Sequence, residues 1–356
     1  MSKKLLMKGN EALAEASIRA GLKGYYGYPI TPQSELLEYL GQHLPSRGGA
    51  FVQAESEVAA INMVYGASGA GVRTMTSTSG PGYSLMQEGI SYIACAELPC
   101  LLVNVMRGGP GLGTIQPSQG DYFQAVKGGG HGDYKCIVLA PNSVQEMADF
   151  TYLGFDLADT YRIPVVILTD GALGQMMETV VFPDYDIEAN KTDHSSWATT
   201  GRKNMRKKHV VTSLYLKAEE MENMNLILQK KYREIEKNEV RFESIFTEDA
   251  DIIIVAFGMS ARVSFKAVEL ARKKGIKAGL FRPKTLFPFP INELQHLSNQ
   301  ADKMLVVEMN AGQMVEDVRL AVNGNISVEF YGRMGGVIPS PNEILNNIIN
   351  LSELKE

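Results

Sequence analysis

Short apolar runs alternate with helix-patterned segments along almost the whole chain, and a sequence built this way is largely restricted to a mainly parallel sheet covered by helices. In the first half the strand-like runs are Lys23–Tyr28, Ala50–Gln53, Arg73–Thr78, Cys100–Met106, Lys135–Leu139 and Pro164–Leu168. Between them lie helical segments: Asn10–Ala20 stopped by Gly21, one started by Thr31-Pro32, and Ser143–Ala158. After Phe182-Pro183 the stretch Asp184–His209 turns polar and carries the single tryptophan, Trp197. Leu216–Asn238 is a charged helical run suited to lying across a surface. A second strand–helix series begins at Asp251–Ala256 with Gly258 and continues through Ala278–Phe281, Met304–Glu308 and Val328–Tyr331. The expected fold class is α/β: a larger unit over residues 1–185, a connecting arm and helix over 186–248, and a smaller doubly wound unit over 249–356.

Composition excludes several classes. A net charge of -5 over 356 residues gives no basic footprint for nucleic acid. The start, Met1-Ser2-Lys3-Lys4, precedes too few apolar residues for a signal-peptide core, and no apolar run reaches the length of a membrane span. Cys95, Cys100 and Cys136 supply neither a disulfide framework nor the four thiolates of an iron–sulfur cluster, so a reducing cytoplasm is expected and any clusters belong on other chains.

Four motifs hold residues suited to chemistry. Thr76-Ser77-Thr78-Ser79-Gly80-Pro81-Gly82 ends a strand in small residues and turns into a helix; that turn either admits a planar ligand or is simply a tight connection. Gln53-Ala54-Glu55-Ser56-Glu57 opens a helix rich in small residues with Gly66, Gly69 and Gly71 beyond, and the helix dipole favours a carboxylate in its first turn whatever its role. In Gly27-Tyr28-Pro29-Ile30-Thr31-Pro32, Thr31 is placed as an N-cap that closes a helix or helps receive an anion. Arg107 leaves the apolar strand Leu101–Val105 at its carboxyl edge, where open α/β sheets bind ligands, and can pair with a ligand carboxylate or with a neighbouring acid. Gln119-Gly120-Asp121 and the glycine-rich 128–132 segment follow, with His131 read as a loop residue. Neither these glycines nor Gly258 after Ile252–Ala256 makes a GxGxxG fingerprint, which weakens a dinucleotide-binding dehydrogenase. Asp170-Gly171 reads as a turn after the strand Val165–Leu168.

Together, Glu57, the Ala-rich helix with its Gly and Ser79-Gly80-Pro81-Gly82 resemble the pyrimidine-binding domain of thiamine-diphosphate enzymes. Tyr28-Pro29-Ile30-Thr31-Pro32 narrows the resemblance to the alpha-type subunit of 2-oxoacid:ferredoxin oxidoreductases, and it continues through Arg107-Gly108-Gly109-Pro110 to Gly332–Pro339, nearly the whole chain. By this resemblance Glu57, rather than the neighbouring Glu55, hydrogen-bonds the pyrimidine and favours the imino tautomer that removes the thiazolium C2 proton. Ser79, Gly80, Pro81 and Gly82 then line the cofactor, while Thr31, Pro29 and Arg107 bind the substrate. The implied reaction is oxidative decarboxylation of a 2-oxoacid with coenzyme A to acyl-CoA, carbon dioxide and reduced ferredoxin, and the second unit is transketolase-C-like. Such enzymes hold the diphosphate through magnesium on Gly-Asp-Gly, which this chain lacks. Thiamine diphosphate and magnesium are therefore expected to be shared with a beta subunit, with iron–sulfur clusters on partner chains that include gamma and ferredoxin-like delta subunits, and with ferredoxin as acceptor. The layout with Trp197-Ala-Thr-Thr-Gly201 most resembles 2-oxoisovalerate enzymes, then 2-oxoglutarate enzymes. A non-catalytic assembly or regulatory subunit of the same fold is the alternative, against which stands the retention of Glu57, Thr31 and Arg107.

Overall fold

The computed structural model describes residues 4–187, 192–202 and 206–353. Its larger sheet has seven strands in the order Thr285–Phe287, Ile137–Leu139, Pro164–Asp170, Cys100–Met106, Thr74–Thr78, Gly24–Gly27 and Ala50–Gln53. All pairs are parallel except the first. The strands Cys100–Met106 and Pro164–Asp170 are buried throughout because helices cover both faces, which explains their nearly unbroken apolar runs. Helices Gly9–Arg19, Ser34–His43 and Val144–Tyr161 pack together on one side, and Glu57–Gly69 and Pro81–Cys95 pack together on the other.

The chain runs outward from Gly24–Gly27 to the edge strand Ala50–Gln53, then back past it to Thr74–Thr78. The connections on either side of Gly24–Gly27 therefore leave on opposite faces, and a crevice opens at the carboxyl ends of the strands where the order reverses. Five of the segments singled out above reach this edge: Gly27–Pro32, Glu57, Ser79–Gly82, Arg107 and Asp170.

The second sheet, Ser327–Gly332, Lys303–Glu308, Ile252–Val255, Ala278–Pro283 and Phe242–Ile245, is parallel except for its last strand. It is tied to the first by more than a linker. Thr285–Phe287, only two residues beyond Pro283, crosses over and pairs with Ile137–Leu139. Arg282, 1% exposed, places its guanidinium between Glu146 at 2.7 Å and Glu243 at 2.7 Å. Burial disfavours the ionised Glu146, but Arg282 and Lys284 outweigh it and hold that carboxyl below the usual carboxylate range. The arm folds back onto the end of the Glu57–Gly69 helix, where the Thr199 amide donates to the Gly69 carbonyl at 2.9 Å and His194 Nδ1 bonds the Gly71 carbonyl at 3.0 Å. Arg162 lies 4.6 Å from the centre of the Trp197 ring. Residues 188–191 and 203–205 of this arm lie outside the described residues.

Two expectations are corrected. The second helix begins at Ser34, not at Thr31-Pro32, and Thr31 caps nothing. Gln33 N–H closes a turn onto the Ile30 carbonyl at 3.1 Å, and the Pro32 carbonyl accepts from Asn10 Nδ2 at 2.8 Å instead of from a helical amide. Asp170 is not in a loose turn: it ends the strand and caps the short helix Gly171–Gln175, accepting from the amides of Ala172 at 2.9 Å and Leu173 at 3.1 Å. An antiparallel pair, Lys4–Lys8 with Met177–Val181, closes the structure and was not evident from the pattern. No helix among the described residues is long and apolar enough to cross a membrane.

Candidate functional site

Glu57 is the first residue of its helix, behind Ser56, whose hydroxyl accepts the Ala59 amide at 3.2 Å. That cap points the Glu57 side chain inward, and it is only 4% exposed whereas Glu55 stays in solvent. Facing it is Gly82. A methyl group at Gly82 would lie 2.3 Å from Glu57 Oε1 and 2.2 Å from Thr78 Oγ1, so the carboxylate packs where any other residue would put a side chain. Beside it the hydroxyls of Thr78 and Ser79 are buried and make no hydrogen bonds among the described residues.

The turn that carries Gly82 is built for close approach. Gly80 has φ 41° and ψ -104°, a conformation open to glycine, and Pro81 starts the helix that follows. The hydroxyls of Thr76, Thr78 and Ser79 are buried and make no hydrogen bonds among the described residues; nor does Arg107 Nε. Arg107 packs over Gly80, where a methyl group would come within 3.4 Å of its Cγ. Its two terminal nitrogens donate to the Thr31 carbonyl at 3.0 Å and the Leu112 carbonyl at 2.8 Å. Thr31 and Pro29 are both exposed beside it. The 27–33 loop is held by a buried relay: Tyr25 OH and Ser77 Oγ lie 2.6 Å apart, Ser77 Oγ donates to Gln33 Oε1 at 2.7 Å, and Gln33 Nε2 donates to the Tyr28 carbonyl at 3.2 Å.

Glu57 and the Ser79–Gly82 turn thus form one surface, and Arg107 with Thr31 forms its rim; Pro29 is exposed two residues before Thr31. His131 stands apart, exposed in its loop. This surface, here called the shelf, lies apart from two clefts of about 650 and 940 Å³ that are lined by other residues, such as Phe287 with Asp317 and Ile252 with Lys303. Two polar residues buried beneath the shelf escaped notice in the sequence, Asn104 and Gln33; a lone asparagine inside an otherwise apolar strand was the available signal for the first.

A model described as pyruvate flavodoxin/ferredoxin oxidoreductase, thiamine diphosphate-binding, matches residues 15–245. The chain belongs to this oxidoreductase family. A second model, pyruvate:ferredoxin oxidoreductase core domain II, matches residues 250–344. Among oxidoreductase relatives, a ketoisovalerate oxidoreductase subunit of Methanothermobacter thermautotrophicus is 52% identical over 343 residues, 96% of each chain. A 2-oxoglutarate synthase subunit of Methanothermobacter marburgensis is 38% identical over 375 residues, covering 99% of this chain and all of the other. The solved 2-oxoglutarate:ferredoxin oxidoreductase of Magnetococcus marinus, with 2-oxoglutarate, coenzyme A and succinyl-CoA bound, superposes with a TM-score of 0.88 at 31% identity. That match takes in 98% of this chain and 65% of the longer one. The oxidoreductase fold also resembles a split-gene transketolase at 13% identity and TM-score 0.62, a likeness of fold alone.

Asp170 lies at the back of the same edge, its Oδ2 without a hydrogen bond and 3.6 Å from where a methyl group on Gly258 of the second unit would sit. Burial pushes its carboxyl up to about 6 despite the amides of Leu173 and Ala172 and the nearby amide of Met259. The folded state therefore prefers the neutral acid: the contribution is full below the ordinary value of 3.8 and is lost as pH rises through about 6. Asp170→Asn keeps the cap acceptor and is expected to stabilise the chain near neutral pH by up to roughly 3 kcal/mol, with no difference below about pH 4. Urea denaturation of both proteins across this range checks it; parallel pH profiles would contradict it.

Proposed function

We propose that this chain is the half of a 2-oxoacid:ferredoxin oxidoreductase that binds the pyrimidine side of thiamine diphosphate, and that it acts on a branched-chain 2-oxoacid. The observation that carries the first part is the Glu57 carboxylate, 4% exposed and pressed onto Gly82 beside three buried hydroxyls that make no hydrogen bonds among the described residues. The residues fit the group: a flat ring needs a wall without side chains, which Gly80 and Gly82 supply, and its polar edge needs acceptors and hydroxyls at the wall's foot. Thiamine diphosphate, when bound, supplies the ring that takes up the electron pair released as carbon dioxide leaves. Glu57 would hold the pyrimidine ring by a hydrogen bond and exchange a proton with it. Ser79 and Thr78 orient the ring, and Arg107 receives the carboxylate of the 2-oxoacid with the free N–H groups left by its two backbone bonds.

Preference for 2-oxoisovalerate over 2-oxoglutarate rests on the 52% identical ketoisovalerate relative. The shelf calls for a partner. Leu112 is 82% exposed and Met334 60% exposed at its rim, and the two loops interlock where Gly336 meets Gln116. In our reading a beta subunit covers this rim and brings magnesium and the diphosphate site, and the clusters that pass electrons to ferredoxin sit on partner chains. Residues 1–185 then carry the ring site, with 186–248 and 249–356 bracing it.

In the assembled enzyme Glu57→Gln is expected to lower decarboxylation by at least about a hundredfold, because the amide fills the same space but cannot exchange the proton. Unchanged proton exchange at C2 of the bound cofactor would contradict the role given to Glu57. Arg107→Lys is expected to raise KM for the 2-oxoacid by about tenfold or more with cofactor affinity little altered, since lysine keeps the charge but loses the planar fork. An unchanged KM would reduce Arg107 to a brace between the 28–32 and 107–117 loops.

A further inference from the structure

Asn104 has no evident reason to be where it is. It is fully buried in the strand Cys100–Met106, whose neighbours Leu101, Leu102, Val103 and Val105 are apolar, and an apolar residue there would avoid the desolvation that an amide suffers. Both ends of the amide are used. Oδ1 accepts the Gly80 N–H at 3.2 Å, and Nδ2 donates to Asp121 Oδ2 at 2.9 Å. The first bond fixes the one backbone amide at the point where the Ser79–Gly82 turn adopts its glycine-dependent conformation.

Asp121 in turn belongs to a segment fastened to the second unit at almost every residue. Fully buried Gln119 donates to the Phe257 carbonyl at 2.8 Å and accepts from the Met309 amide at 3.0 Å and from Ser260 Oγ at 2.7 Å. Tyr122 OH donates to Asp317 at 2.6 Å, and Gln313 bridges the Phe123 amide at 2.9 Å and the Gly120 carbonyl at 2.8 Å. The 119–123 segment, fastened to the second unit on both sides of Asp121, is thus tied through the Asp121–Asn104 and Asn104–Gly80 hydrogen bonds to the amide of Gly80.

We propose that Asn104 and Asp121 are positioning residues that set the Ser79–Gly82 turn, and with it the gap between Gly82 and Glu57, according to how the second unit is docked. This rests on the reading of the shelf as the ring site. The consequence is a role for the second unit at a distance: loosening Gln119 or Asp121 shifts the wall against which the ring lies. Misplacement of a catalytic wall by a fraction of an ångström is costly even when no catalytic group is removed.

The test exchanges the two side chains. Asn104→Asp sets two carboxylates against each other and loses the donor. Adding Asp121→Asn restores both bonds with their roles reversed: the carboxylate now at position 104 accepts from the Gly80 N–H and from the amide now at position 121. In the single variant of the assembled enzyme, hydrogen exchange is expected to speed up in the peptide spanning 79–84 and thiamine diphosphate to bind about tenfold more weakly, with KM for the 2-oxoacid little changed. The double variant is expected to recover both. If Asn104→Asp does not assemble, Asp121→Ala, which removes only the acceptor, is measured in its place and the same changes are expected. Unaltered exchange at 79–84, faster exchange throughout the larger sheet, or a double variant no better than the single would each overturn the proposal. Because hydrogen exchange is also read without cofactor, a failed thiamine reading would leave the exchange result standing, and a failed link would leave the Glu57 test untouched.

Discussion

The structure turns on a contact between a carboxylate and a missing side chain. Glu57 reaches into the space that a side chain at Gly82 would occupy, and neither residue tolerates much change while the other stays in place. The helix cap at Ser56 aims the acid, and the Gly80 turn brings Gly82 to it. Each element is ordinary alone. Their conjunction brings an acidic side chain against a bare stretch of backbone, which neither element would do by itself.

The rest of the architecture serves that conjunction. The reversal of strand order beside Gly24–Gly27 brings the 27–33 loop and the 79–82 turn to one edge, and the Tyr25–Ser77–Gln33 relay locks them together. The second unit does not form the shelf but braces it, through Arg282 on the Glu146 helix, the strand Thr285–Phe287 and the Gln119 segment. The Gln119 contacts reach furthest, because they connect through Asp121 and Asn104 to the turn itself.

Most of this could be read from the sequence where the cause is local. A strand buried on both faces announces itself as an apolar run, so Cys100–Met106 was legible to the residue, and so was the short edge strand Ala50–Gln53. The strand Pro164–Asp170 and the helix Gly9–Arg19 needed shifts of only one or two residues at an end. The family motifs also identified the residues that the fold gathers. What failed was decided by distant partners. Thr31-Pro32 looks like a helix start, but Asn10 takes the Pro32 carbonyl and the helix waits until Ser34. Asp170-Gly171 is the exception: it looks like a turn, yet the amides of Ala172 and Leu173, two and three residues on, make Asp170 a helix cap, a local signal. Thr285–Phe287 is too short to show a period and pairs with residues well over a hundred positions earlier. Asn104 gave only the weak hint of an amide among aliphatic residues.

The central claim is that this chain holds half of a cofactor site, the half that meets the ring. Its sequence has Glu57 and Ser79-Gly80-Pro81-Gly82 but no Gly-Asp-Gly to neutralise a diphosphate through magnesium. Calorimetry of thiamine diphosphate binding, with the chain alone and with a beta subunit that carries the diphosphate site, tests this most directly. Weak or undetectable binding is expected for the chain alone, and tight, magnesium-dependent binding for the pair. Tight magnesium-dependent binding by the chain alone would contradict it.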